Sequence, residues 1–359
     1  MLRRALLVSL VGVAFAYSAG DSARAAETFP GDPVIKKVAA LAIPPRDGAA
    51  FKNLDPAYKR ASYFARLHSF IVGGTWLVPE RRVSALPAAV PDLQALRDNH
   101  HEATVTWIGH STLLVQLDGV NFLTDPTWAG RSGPFSGLVG VRRYTPAPMR
   151  MEDLPPIDFV LISHDHYDHL DEPTVKRLAR LYNPRFVVPL GIKAWLADRG
   201  ITNAVELDWG QSIAFKGLTI VCTPAQHGSG RTLTDGGRRL WASWAVIGSK
   251  RFYFAGDTGY ASHFELIGHA LGPFDLAALP IGSYTPRVIA KPVHMSPEEA
   301  LQAWRDLRAT DFIGIHWGTF KLAREPYDEP PRRIAAEVAR LEIDRSKIWL
   351  PKPGETLNW

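Results

Sequence analysis

Beyond Ala103 the chain breaks into short apolar runs separated by turn residues, a pattern of strands rather than of a helical bundle. Val105-Thr106-Trp107-Ile108 and Leu113-Leu114-Val115-Gln116-Leu117 read as a hairpin around Gly109-His110-Ser111. Asp118-Gly119 marks a tight turn before Phe122-Leu123-Thr124-Asp125-Pro126. Further apolar runs lie at 159–162, 218–222, 251–256 and 312–315, and helices are predicted over 173–182, 192–199 and 297–308. The last helix is signalled by a capping box, Ser296 with Glu299, and by Pro297 at its first position. Strands alternating with helices predict a mixed α/β architecture.

Before this region, residues 27–99 are loop-rich with short helical pieces. One piece, over 57–71, carries apolar residues beside Lys59, Arg60 and Arg66. It ends in the apolar stretch 72–79, which either docks on the core or faces lipid. Arg3 and Arg4, the apolar run from Ala5 to Ala16 and the small residues up to Ala23-Arg24-Ala25-Ala26 read as a secretory leader over 1–25. The run is short for a membrane span. Export is therefore expected, to the periplasm or outside, with membrane association or an uncleaved anchor as the alternatives and the arginine pair hinting at the twin-arginine route.

Composition narrows the partners. At 359 residues and 46% apolar content the chain can bury a large core. Losing the leader removes three arginines and one aspartate, which lowers the net charge from +5 to about +3. With so mild a charge and no Lys/Arg-rich run, no nucleic-acid partner is expected. Cys222 is the only cysteine, so no intramolecular disulfide can form, and in its strand it is expected to pack as a small hydrophobe.

The chemistry is concentrated in Ser163-His164-Asp165-His166-Tyr167-Asp168-His169-Leu170, directly after the apolar run at 159–162. Imidazoles and carboxylates are the ligands that zinc takes at about 2.0–2.2 Å, and a solvated turn does not explain so dense a set. His164 and His166 can close on one ion while Asp168 and His169 reach a second. His227, Asp257 and His316 each stand just beyond another apolar strand, where active-site loops emerge from a layered sheet. Gly256 and Gly259 leave room beside Asp257 for close approach.

This order of ligands, an H-x-H-x-D-H cluster followed by His, Asp and His, resembles the metallo-β-lactamase superfamily. The resemblance implies an α/β (α+β) fold, an αββα sandwich of two mixed sheets flanked by helices, with a two-metal site between the sheets. It assigns His164, His166 and His227 to one ion, Asp168, His169 and His316 to the other, and Asp257 to both. Several strings narrow the match to the N-acylphosphatidylethanolamine-hydrolysing phospholipase D family. They include Thr106-Trp107-Ile108-Gly109-His110-Ser111-Thr112, Leu123-Thr124-Asp125-Pro126 and Leu154-Pro155-Pro156-Ile157-Asp158. His166-Tyr167-Asp168-His169-Leu170-Asp171, Tyr284-Thr285-Pro286-Arg287 to His294, Pro297-Glu298-Glu299-Ala300 and Ile315-His316-Trp317-Gly318-Thr319-Phe320 belong with them. The similarity runs from about Ala103 to Pro331. The expected organisation is a leader over 1–25, an N-terminal extension over 26–99 and a hydrolase domain over 100–359.

Two ions about 3.5–4 Å apart can share a water and turn it into hydroxide near neutral pH, so no protein nucleophile is needed. Two Zn²⁺ are expected, with Mn²⁺ or Fe²⁺ as alternatives that metal supply decides. Asp168, Asp257 and His294 are the catalytic candidates, His294 because the resemblance implies a place beside the substrate phosphate, with a surface histidine as its alternative. Asp125 is expected to orient a ligand histidine, and otherwise to cap the turn before Pro126. His110 either lies near the pocket or shapes its loop. Arg287, Arg142 and Arg143 are candidate phosphate contacts, against a salt bridge for the first and a solvated pair for the others. The expected substrate is a phospholipid or another small phosphodiester, with peripheral membrane contact an expectation and the oligomeric state open. A lactonase or β-lactamase-type hydrolase and a non-catalytic exported binding protein are the competing readings, and a nuclease is disfavoured.

Overall fold

Alternation of inner and outer apolar side chains organises the chain into two seven-stranded mixed sheets. The computed structural model describes residues 44–55 and 85–359. The leader expected over 1–25 and the helix and apolar stretch expected over 57–79 lie outside the described residues.

The first sheet starts with an antiparallel meander of β1 (Thr104–Gly109), β2 (Thr112–Leu117) and β3 (Val120–Thr124). It continues in parallel through β4 (Phe159–Leu161), β5 (Arg185–Pro189) and β6 (Ala204–Leu207). The second repeats the plan. β7 (Ser212–Phe215), β8 (Leu218–Thr223), β9 (Ser243–Ile247) and β10 (Arg251–Phe254) are antiparallel, and β11 (Leu276–Pro280), β12 (Asp311–Ile315) and β13 (Ile348–Trp349) extend in parallel. β14 (Thr356–Asn358) returns to the first sheet and pairs antiparallel with β1.

Side-chain period explains the layering. Val105, Trp107, Leu113, Val115, Phe122, Phe159 and Leu161 point inward to a core shared with Ile220, Trp244, Phe252 and Phe254 of the facing sheet. Their neighbours Ile108, Leu114, Leu123, Val160 and Ile162 point outward under α1 (Glu172–Tyr182) and α2 (Ile192–Ala197), through Val175, Leu178, Ile192 and Leu196. Both faces are buried, so the strands read as continuous apolar runs. α3 (His263–Leu271), α4 (Pro297–Asp306) and α5 (Glu329–Arg340) cover the second sheet with Phe264, Ile267, Leu301, Ile334 and Val338. The result is the αββα sandwich.

The capping box of α4 forms as expected, Ser296 Oγ accepting from the Glu299 amide and Glu299 accepting from that of Ser296. The apolar pattern leaves α3 and α5 unmarked, although Pro330 at the first turn of α5 is a helix-start signal. The described extension packs on the sandwich: Phe51 joins the inter-sheet core, and Leu96, on a helix over Leu93–Asp98, joins the outer one.

Candidate metal centre

Strand ends deliver the site. Asp125 follows β3, His164 to His169 follow β4, His227 follows β8, Asp257 follows β10 and His316 follows β12, all at one edge of the sandwich. Two tight turns curl the β4 loop, the His169 and Leu170 amides both donating to the His166 carbonyl at 3.1 and 2.8 Å. Gly256, at φ +58°, turns Asp257 into the site, and a Cβ there would lie 2.4 Å from that of Ser163. Only glycine fits so close a crossing of the β4 and β10 loops.

The structure brings all seven expected ligands together, with His110 and His294 beside them. His164 Nε2 lies 2.8 Å from His166 Nδ1, which is 3.2 Å from His227 Nε2. A second group gathers Asp168, His169, His316 and also His110. Asp257 stands between the groups. Its Oδ2 is 3.7 Å from His227 Nε2 and 3.2 Å from His169 Nε2, while Oδ1 is 3.1 Å from His316 Nε2.

Three of the outer ring nitrogens are committed elsewhere. His169 Nδ1 bonds Asp125 Oδ2 at 2.6 Å, His164 Nδ1 bonds Ser163 Oγ at 2.9 Å and His227 Nδ1 bonds the Val293 carbonyl at 3.0 Å. Each bond fixes a ring so that Nε2 faces the centre, the arrangement expected around ligand histidines. Asp125 is itself buried and accepts from the Ser163 amide and hydroxyl at 2.7 and 2.5 Å. It thus meets the His169 ring on the side away from the centre.

A fit test follows from the buried polar atoms. His169 Nε2, His316 Nε2 and Asp257 Oδ1 make no hydrogen bond although all three are buried and face one space. Such groups are costly when left unmatched. A divalent cation among them would engage all three, and imidazole with carboxylate is the donor set zinc takes.

Charge agrees with that fit. Burial pushes the Asp257 carboxyl up, yet the imidazoles of His169, His316 and His294 outweigh it and hold it well below the usual carboxylate range. Asp168 is held low in the same way, chiefly by His169 and His110. Burial drives His164 and His227 well below the usual imidazole value, so they are neutral donors. Burial also lowers His169 and His316, but the carboxylates facing them win, lifting His316 to about 9 and His169 well up.

A cavity of about 310 Å³ opens over the centre. His166, Asp168, Asp257 and His294 line its polar side, and Ile289, Val293 and Leu322 line an apolar wall. His294, pushed down to about 4 mainly by burial, holds Nδ1 3.9 Å from Asp257 Oδ2. His110 Nε2 bonds Asp168 Oδ2 at 2.9 Å, and its ring lies 4.1 Å from that of His316.

The three candidate phosphate contacts are placed otherwise. Arg287 grips both Glu299 oxygens at 2.8 and 2.6 Å and donates to the His294 carbonyl, so it forms the salt bridge that was its alternative. Arg143 is buried and braces its loop through the Thr127, Ala129 and Thr145 carbonyls, neither a phosphate contact nor a solvated residue. Arg142 is exposed on a two-stranded ribbon and does not line the cavity.

Two residues at the site escape sequence reasoning. Asn53 clamps the His227 backbone, its Nδ2 donating to the carbonyl at 2.9 Å and its Oδ1 accepting the amide at 3.0 Å. Arg324 is a cation lining the cavity. Neither lies in a cluster that spacing could reveal.

The model of the β-lactamase superfamily domain matches residues 120–317. N-acyl-phosphatidylethanolamine-hydrolyzing phospholipase D 1 of Caenorhabditis elegans is 48% identical over 290 residues, 74% of this chain and 81% of that protein. The mitochondrial protein of the same name from Saccharomyces cerevisiae is 34% identical over 70% of this chain and 55% of its own length. Among solved structures, the metallo hydrolase Igni18 from Ignicoccus hospitalis superposes with a TM-score of 0.55 at 26% identity, over 72% of this chain and 99% of that one.

Proposed function

We propose, since the chain belongs to the β-lactamase superfamily and within it to the N-acylphosphatidylethanolamine-hydrolysing phospholipase D family, that it divides an N-acylated phosphatidylethanolamine into an N-acylethanolamine and phosphatidic acid. The family makes it a metal-dependent hydrolase; the bond cut and the choice of zinc are the proposal. The observation that carries it is Asp257, whose carboxylate lies between the two groups of imidazoles beneath one cavity.

His164, His166 and His227 would hold one ion, Asp168, His169 and His316 the other, and Asp257 both. When bound, two such ions supply Lewis acidity and a water made acidic enough to attack at neutral pH. The chain's own groups do the rest. Asp125 keeps the proton of His169 on Nδ1, so that Nε2 is free to act as a ligand. His294, neutral and partly open to the cavity, can hydrogen-bond a phosphoryl oxygen placed beside Asp257. Ile289, Val293 and Leu322 form an apolar wall suited to an acyl chain and keep water from it. The leader expected over 1–25 supports export, for which a mature form starting near Ala26 outside the cytoplasm is the expected observation.

The test is incubation of the metal-loaded protein with N-acylphosphatidylethanolamine, with and without chelator, and product identification by mass spectrometry. Chelator-sensitive release of both products is expected. Asp257→Asn should abolish turnover and leave the protein unable to retain two metals by elemental analysis. A protein shown to hold both metals that leaves this lipid intact yet opens lactones would overturn the proposal.

A further inference from the structure

Three loops leaving the metal-bearing edge share a composition that holding the metals does not require. Residues 126–150 follow β3, residues 281–296 follow β11, and residues 317–324 follow His316 beyond β12. Stretches 126–150, 281–296 and 317–324 contain no Asp or Glu, while Arg131, Arg142, Lys291 and Arg324 stand exposed on them. The two carboxylates that complete the third loop are engaged, Glu325 by the Ser283 amide and the Thr285 hydroxyl and Asp328 by Arg332. The same loops hold large apolar side chains in water: Leu138 is 81% exposed, Phe135 74% and Val288 85%.

The first loop is built to keep its tip outward. Strands Arg131–Ser132 and Val141–Arg142 pair into a ribbon whose neck is Gly133 and Gly140. A Cβ on Gly133 would fall 2.0 Å from the Val139 carbonyl, and one on Gly140 2.0 Å from that of Ser132. Closing the neck so tightly presents Phe135, Leu138 and Val139 on a small lobe rather than on the core. The base of the lobe is joined to the loop that follows His316 and goes on to Leu322 in the cavity wall, the Tyr144 amide donating to the Thr319 carbonyl at 2.8 Å and Arg143 bridging to Phe320. Tip and catalytic edge are thus held in one frame.

We infer that these loops form a docking face for an anionic phospholipid surface, with Phe135, Leu138 and Val139 entering the headgroup region and the exposed cations meeting the lipid charges. Exposed apolar groups ringed by Lys and Arg are what such interfaces take up. An identical copy would bring these cations against one another, while the nearest carboxylates on the loops, Glu325 and Asp328, are already engaged within the chain. The inference rests on the phospholipase reading only for the reason the cavity should face lipid.

Sedimentation of the full-length, metal-loaded protein with vesicles tests it, using phosphatidylcholine with and without phosphatidylglycerol. The variant Phe135→Ser/Leu138→Ser/Val139→Ser is expected to lose about tenfold or more in partition to the anionic vesicles. Its hydrolysis of a soluble, monomeric phosphodiester should match the parent. As a second measurement, Leu138→Cys takes an environment-sensitive fluorophore, because Cys222 is buried and stays unlabelled. Its emission should shift to the blue on anionic vesicles, and less so at high salt. Unchanged partition of the tip variant overturns the inference, as does a label at position 138 that stays in water. Self-association that the tip variant abolishes, with no vesicle binding, also overturns it. Vesicle binding that is lost with the tip, in a protein inert toward every phosphodiester, would uphold this face and sink the phospholipase reading.

Discussion

Asn53 and Asp125 act one layer out from the proposed ligands, yet only one of them is legible in the sequence. Asp125 stands in a motif string directly after a strand, so its place beside a ligand histidine could be expected. Asn53 is 174 residues from His227, and nothing local announces a bond across that distance. It also accepts from the Trp241 indole at 3.0 Å, so the buried amide satisfies three groups. Asn53→Ala would orphan the His227 amide and carbonyl, while the Trp241 indole keeps the Ala225 carbonyl at 3.0 Å. The expected outcome is a loss of about 1–3 kcal/mol in urea unfolding, with weaker metal retention by elemental analysis. Arginines show the opposite limit. Whether Arg287 meets a phosphate or a carboxylate depends on Glu299, which tertiary packing brings to it. Arg143 likewise finds its carbonyl partners only once the loop has closed.

At the scale of elements, the strands and the proposed ligand loops were readable because the apolar runs and the H-x-H-x-D-H cluster are both local signals. Helix α3 was not, since its apolar residues sit beside polar ones of little periodic contrast. It carries His263, buried without a carboxylate beside it and pushed down to about 3 by that burial. The unfolded chain takes a proton on this imidazole near pH 6.5, whereas the folded protein refuses it until far lower. This group's contribution is therefore complete above that value and is lost as pH falls, by about 2 kcal/mol at about pH 5. His263→Asn should lower stability less steeply than the parent does between neutral and mildly acidic pH. Equal slopes in denaturant titrations would refute the assignment.

Over the whole molecule, the proposed ligands come from both sheets: His164 and Asp168 from the first, His227, Asp257 and His316 from the second. Ions bound there would tie the two layers together and favour the folded state by mass action, about 2.7 kcal/mol at a hundredfold excess over Kd. Chelation should accordingly lower Tm in calorimetry, and re-addition of zinc should restore it. A Tm indifferent to chelator in a protein that had held metal would place the ions outside the sandwich interface.

Strand β14 has a temporal consequence. It completes the edge beside β1 from the far side of the chain, Thr356 and Thr106 sharing a hydroxyl hydrogen bond across 250 positions. A polypeptide emerging from the ribosome can form the β1–β3 meander early, but the exposed edge of β1 must wait until residues 356–358 have been synthesised. Contacts so distant in sequence slow folding. Were the chain exported as proposed, that delay would keep the precursor open during the interval in which a translocation machinery engages it.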